Sequence, residues 1–454
     1  MTTTQDATVR RMRQTVDALL PSVLDDLRRL VRIPSVSSDP AHAGDVRRGA
    51  ELAAEMCHAA GFPEVRVLED GGAAPAVVAR IPAPPGAPTV LLYAHHDVQP
   101  TGDRAEWRSD PFEPVERDGR LYGRGTADDK AGIAAHLAAV RAHDGRPPVG
   151  VTVLLEGEEE IGSPTMEGFV ERHRELLTAD VIVIADAANW AIGRPALTTS
   201  LRGLADCVLE VRTLDHALHS GLWGGVAPDA FTVLARLIAT LHDAQGEVAV
   251  PGLAASPGTE GPDYPAERVR EEAGILDGVE LTGTGPISGR LWSKPAISVI
   301  GIDAPSVADS ANILHATARA KVSLRLAPGD DPATAMAALR RHLTEHAEWG
   351  ARVEVHEGAA AAPYAIAAEG PAFDAARAAF HDAWGVPPVD VGVGGTIPLV
   401  AMFAERYPEA AILVTGVEDP DTRAHGANEG LHLADFANVC LAEALLLQRL
   451  GSPR

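Results

Sequence analysis

TVLLYAHHD, residues 89–97, runs a stretch of β-branched and apolar residues directly into two histidines and an aspartate. The same shape recurs in VTVLLEGEEE (151–160), VIVIADAAN (181–189) and AILVTGVED (411–419). Each reads as a short buried strand whose C-terminal end meets polar, mostly acidic residues. Between them lie helical patterns at 130–142 and 166–177. Amphipathic helices are also expected at 8–32, from the spacing of Val9, Met12, Val16, Leu19 and Leu20, and at 44–60, ending at Gly61. Strand–helix alternation predicts an α/β fold with a mixed, mostly parallel sheet flanked by helices. Ligands of such sheets bind outside the carboxyl ends of the strands, where these four segments deliver His, Asp and Glu.

The middle of the chain differs. LADCVLEVRT (204–213) and ARAKVSLRLAP (318–328) alternate like half-exposed strands, helices fit 228–244 and 332–348, and 250–290 is a Gly-, Pro- and Glu-rich extension. An α+β domain inserted at 196–362 is therefore expected, with 1–195 and 363–454 forming the other domain.

With 454 residues and 46% hydrophobic content, the chain can bury a sizeable core. Its formal net charge of −24 repels phosphate backbones and argues against nucleic-acid binding. Bound cations would offset part of that charge. The three cysteines, Cys57, Cys207 and Cys440, are far apart and odd in number. They suggest a reducing cytoplasm rather than a disulfide framework. A polar N-terminus and the lack of any long apolar run predict neither signal peptide nor membrane span.

Five groups of residues carry possible chemistry. His95 and Asp97 form an H-x-D pair in which a ring nitrogen can bind a metal while the Asp holds the ring. GRGTADDKAG (123–132) turns sharply and then opens a helix with Asp128 and Asp129. Taken alone, that is an acidic helix start. EGEEEIGS (156–163) crowds four carboxylates at the end of a buried strand. Such a run is usually a solvated loop, but a dication would neutralise it. Asp186 ends VIVIAD, and His425 lies in RAHGANEG (423–430). Nitrogen and oxygen donors without cysteine suit zinc, or manganese or cobalt. A carboxylate shared by two ions about 3.5–4 Å apart can activate a water for hydrolysis.

These motifs, in this order along nearly the whole chain, resemble a zinc-dependent exopeptidase family. It contains carnosinase-type dipeptidases, aminoacylases, succinyl-diaminopimelate desuccinylase and glutamate carboxypeptidase. The resemblance rests on YAHHDVQP (93–100), WRSDPFEP (107–114), GRGTADDK (123–130), EGEEEIGS (156–163), LHSGLWGG (218–225), SLRLAPGDDP (323–332), GGTIP (394–398) and AHGANE (424–429). It implies two divalent metal ions per subunit, zinc first among the candidates. His95 and Asp186 would hold one ion, Glu160 and His425 the other, and Asp128 would bridge them. Glu159 would be the general acid/base and Asp97 would orient His95. The extra carboxylate of Glu158 would stand beside that base. A cis peptide is expected at Asp128–Asp129.

The inserted domain would be a lid and dimerisation domain. Its His219 would reach a neighbouring subunit's site and stabilise the oxyanion. Arg325 would bind the substrate's terminal carboxylate, Asn312 would contact substrate, and Gly395 and Thr396 would line the carboxylate pocket. Without the resemblance, His219 reads as a turn histidine and Arg325 as a surface ion-pair residue. His96, His216 and His432 are taken as structural. The resemblance lies nearest the dipeptidase branch and implies hydrolysis of small peptides with a free C-terminal carboxylate, by a homodimer. The alternatives are an N-acyl-amino-acid deacylase or desuccinylase, and, more remotely, a non-catalytic peptide-binding relative.

Overall fold

A computed structural model describes residues 2–69, 72–254, 261–366, 368–395 and 397–452. Part of the 250–290 extension, residues 255–260, and Thr396 lie outside the described residues. The chain forms two compact units. One takes Met1–Thr198, Ala367–Val391 and Met402–Arg454, and the other takes Thr199–Ile366 and Gly392–Ala401.

The first unit is built on a mixed sheet. The strands of this sheet run Glu64–Leu68, Ala76–Ile81, Gly150–Glu156, Thr89–His95, Val181–Ile184, Ala411–Val414 and Ala196–Leu201 in spatial order, and Tyr364–Ala365 and Val389–Val393 pair with the last. Among the described residues, parallel pairing occupies the centre: Thr89–His95 pairs with Gly150–Glu156 and Val181–Ile184, and the latter pairs with Ala411–Val414. The edges are antiparallel. Strand Gly150–Glu156 is buried along its whole length. That is the signature of a parallel strand covered on both faces, and explains why the sequence shows a continuous apolar run there instead of alternation.

Helix Thr2–Val31 buries Met12, Val16, Val23, Leu27 and Leu30, a stripe at helical spacing. Helix Ala43–Ala60 stops at Gly61, whose φ of 103° places it in the left-handed region that glycine tolerates best. Lys130–Arg141 is nearly all buried and packs on Leu433–Leu450, whose middle, Val439–Leu447, is buried. The expected helix at 166–177 is split into Met166–Arg172 and Arg174–Leu177.

The second unit holds a four-stranded antiparallel sheet in the order Ala296–Asp303, Thr317–Leu326, Gly203–Arg212, Arg352–Ala361. The first and last of these strands were not anticipated. Their exposed faces carry too little apolar alternation to announce them. Helices Ala230–Ala239 and Pro332–Glu345 pack on this sheet, through a core that includes Leu209, Val211, Leu234, Leu237, Val322, Leu324 and Leu339. Asp229 and Asp331 cap the two helices by accepting from Thr232 N and Thr334 N. Residues 250–290 are not structureless throughout, since Ala266–Glu272 and Ile287–Trp292 are short helices.

Candidate metal centre

Four adjacent strands of the first unit end on one side. The central parallel register places His95 beside Glu156, and the chains leaving Val181–Ile184 and Ala411–Val414 continue side by side as far as Ala188 and Glu418. Gly416 is required there, because a Cβ on it would meet Ala187 O at 1.3 Å. His95, Asp128, Glu159, Glu160, Asp186 and His425 are gathered at this end.

His95 Nε2 lies 3.1 Å from Asp128 Oδ1. His425 Nε2 lies 3.0 Å from Asp128 Oδ2 and 3.2 Å from Glu160 Oε2. The two oxygens of Asp128 thus face the two histidines, one each. Ligand atoms of His95, Asp128 and Glu160 lie within 4.8 Å of one another, as do those of His95, Glu159 and Asp186. The Asp128–Asp129 peptide is cis, as the resemblance implied.

Supporting contacts fix these side chains. His95 Nδ1 is 3.1 Å from Asp97 O. The Asp97 carboxylate accepts from Glu159 N at 3.2 Å and Glu160 N at 3.1 Å, so it holds the acidic turn as well as the histidine. Gln99 donates to both oxygens of Glu160, from its backbone N and its Nε2. Glu158 points to other partners: its carboxylate accepts from Thr165 N, Thr165 Oγ1 and Ala74 N. It is a buried anchor of the turn.

The electrostatics are those of crowded, buried carboxylates. Burial, aided by the charges of Asp128 and Glu160, pushes Asp186 up to about 7. Burial and Asp186 hold Glu159 well above the usual carboxylate range. Glu418 is raised in the same way by burial and by Asp128 and Asp186. Burial opposes protonation of His95, yet hydrogen bonds to Asp128 and Asp97 leave its pKa well above normal. Hydrogen bonds to Asp128 and Glu160 raise His425 to about 10. Asp128, despite burial, is held low by hydrogen bonds from His425 and His95. Dications would replace protons as the neutralising charge, so this donor set fits divalent metal ions.

Residues 91–449 match the sequence profile described as Peptidase family M20/M25/M40. A cysteinylglycine-S-conjugate dipeptidase of Corynebacterium striatum is 36% identical, with 94% of this chain and 95% of that protein covered. A beta-Ala-His dipeptidase of Rattus norvegicus is 30% identical over 79% of this chain and 76% of its own length. The crystal structure of human carnosine dipeptidase 1 superposes with a TM-score of 0.83 at 26% identity, covering 98% of each chain. The chain belongs to peptidase family M20/M25/M40. Membership makes it a metallohydrolase that uses divalent ions, and the mixed sheet is the fold of its M20 neighbours.

The remaining residues expected from the M20 resemblance lie in the second unit. His219 pairs across a short ladder with Ile313, and Ser220 N donates to Asn312 O, so His219 and Asn312 are neighbours. His219 Nδ1 accepts from Gly221 N at 3.0 Å. This contact assigns the ring proton to Nε2. Arg325 lies half-buried on strand Thr317–Leu326. Gly395 is half-buried in a bend beside Gly394.

Several residues were missed. Arg202 donates from Nε to Gly394 O, and burial together with the charge of Arg325 lowers its pKa to about 10. It stands with the residues expected to bind a carboxylate. Glu418, Gln99, Arg124 and Glu429 also belong to the centre's surroundings. Their partners are distant in sequence, so no local pattern marks them. His96 Nε2 donates to Pro75 O at 2.8 Å and the ring is buried, His216 pairs with Asp215, and His432 caps the last helix. All three have structural contacts. Cys57, Cys207 and Cys440 are buried free thiols. Among the described residues, no helix is long and apolar enough to cross a membrane.

Proposed function

We propose that this M20 hydrolase is a two-metal dipeptidase, cleaving the peptide bond of dipeptides or small peptides that carry a free C-terminal carboxylate. The observation that supports it is the convergence of His95, Asp128, Glu159, Glu160, Asp186 and His425, with Asp128 facing both histidines. In this reading His95 and Asp186 would hold one ion, Glu160 and His425 would hold the other, and Asp128 would serve both. The nitrogen–oxygen donor set favours zinc, with manganese and cobalt as replacements. When bound, the ions supply Lewis acidity at the scissile carbonyl and acidify the attacking water.

Glu159 takes a proton from that water as it adds to the carbonyl carbon, and gives the proton to the leaving nitrogen. Asp97 keeps His95 and the Glu159–Glu160 turn in place. The second unit acts as lid and dimerisation domain. From a neighbouring subunit, His219 donates its Nε2 proton to the oxyanion. Arg325 grips the substrate's carboxylate as a guanidinium fork, and the family resemblance assigns Asn312, Gly395 and Thr396 to substrate binding as well. A cytoplasmic location suits three reduced thiols.

The named relatives act on cysteinylglycine S-conjugates and on beta-Ala-His, two substrates of two residues each. The test is turnover of a dipeptide panel against N-acetyl- and N-succinyl-amino acids, by chelated protein given back zinc, manganese or cobalt. Dipeptide cleavage is expected. Turnover of N-acyl amino acids alone would replace this reading by a deacylase.

A further inference from the structure

Two loops bring the outer ligands to the centre, and one buried ion pair joins them. Arg124 and Glu429 are 1% and 0% exposed, and Arg124 Nη1 lies 2.7 Å from Glu429 Oε2. Glu429 then accepts from Gly125 N at 2.9 Å, Ala127 N at 3.0 Å and Asp128 N at 3.2 Å, so its carboxylate shapes the turn that presents Asp128. Arg124 donates from Nη2 to His425 O at 2.9 Å, Gly426 O at 3.2 Å and Pro100 O at 3.2 Å. Its guanidinium also lies 5.6 Å from the centroid of the Trp107 ring.

The two histidines of the centre are held very differently. His95 ends a central strand, is fully buried, and is fixed through Asp97 and Asp129. Asp186 follows the neighbouring strand. His425 sits in a loop, with its side chain 59% exposed. Its φ is +62°, and those of Arg423 and Asn428 are +58° and +62°. Three non-glycine residues in the left-handed region persist only where surroundings over-determine them. The Arg124 contacts to His425 O and Gly426 O supply that restraint on the backbone of His425 itself.

We propose that Arg124 and Glu429 are positioning residues that set the occupancy of the second ion, the one assigned to Glu160 and His425; the other ion shares Asp128, whose turn Glu429 shapes, but keeps His95 and Asp186, which follow strand ends, with His95 held by contacts of its own. This rests on the two-metal reading above. Changes to groups that orient metal ligands lower metal affinity about 10–100-fold.

The test counts ions per chain by elemental analysis after dialysis against metal-free buffer, and follows Co2+ titration by visible absorbance, with circular dichroism to confirm folding. Arg124→Gln and Glu429→Gln are compared with the parent chain. Since either leaves a buried charge alone, the neutral pair Arg124→Gln/Glu429→Gln is made as well. The parent is expected to hold two ions and each folded variant one, with the weaker Co2+ affinity reduced 10-fold or more. His425→Ala should also hold one, and adding Arg124→Gln to it should remove no further metal. Folded variants that keep both ions at parental affinity, or lose both together, overturn the proposal. A parent chain that binds fewer than two ions overturns the two-metal reading instead.

Discussion

Glu159 and Asp186 share one environment but are given different tasks, and substitution separates them. Glu159→Gln preserves shape and removes the proposed proton carrier. It should keep both ions by elemental analysis and lower kcat about 10²–10⁴-fold. Near-parental turnover would remove Glu159 from the mechanism. Asp186 makes a prediction about the metal-free protein. Its pKa is about 7 when folded, against an ordinary value of 3.8. From about pH 4 to pH 7 the folded chain therefore holds a proton that the unfolded chain has released, so stability falls as pH rises through this window. His425, at about 10 against 6.5, extends the fall to higher pH. Calorimetry of chelated protein should show Tm dropping between pH 4.5 and pH 7.5, and Asp186→Asn should flatten the slope. A Tm that rises across that interval would contradict the assignment. Glu158, beside Glu159 in sequence, is occupied by Thr165 and Ala74. The sequence left open whether its charge bears on Glu159, and these contacts assign it to the turn.

At the scale of elements, the site depends on two chains leaving the sheet in contact. The backbone at Gly416 touches that at Ala187 so closely that no side chain fits. Gly416→Ala must push the strand 411–414 exit away from the Asp186 exit. Inserting one methyl into a well-packed core costs about 1–3 kcal/mol, and a backbone obstacle raises that cost. A Tm lowered by several degrees, with reduced metal content, is expected in thermal denaturation and elemental analysis. An unchanged Tm would mean that the two exits are not held together. This contact was invisible in AILVTGVED, where the glycine reads only as the end of a strand. The strand itself, and the acidic segment that follows, were legible because a buried parallel strand needs an unbroken apolar run.

For the whole molecule, the net charge of −24 and the crowded carboxylates give one expectation. Ions that bind only the folded state stabilise it by RT ln(1 + [L]/Kd), about 4 kcal/mol at a thousandfold excess over Kd. Zinc should therefore raise Tm progressively with concentration, and chelation should reverse the rise. A Tm indifferent to zinc would leave the anionic cluster without its neutralising partner. The proposed trans role of His219 has its own check. Chains carrying His219→Ala and chains carrying Glu159→Gln, each inactive alone, should regain turnover when co-expressed. Mixed dimers that stay inactive would confine His219 to its own chain's lid.

Local chemistry in the sequence determined the central strands and their acidic exits and offered His, Asp and Glu as donors, while the choice of the six side chains came from the family resemblance. Strand periodicity and donor type are properties of neighbouring residues, so they can be read one segment at a time. Only the tertiary structure decided that Asp128 faces one histidine with each oxygen, that Asp97 and Gln99 hold the acidic turn, and that Arg124 meets Glu429 across 305 positions of chain. Such contacts join segments whose separation in sequence carries no record of their separation in space. They are selected by burial, since a charge taken out of water must find its partner wherever the fold brings one.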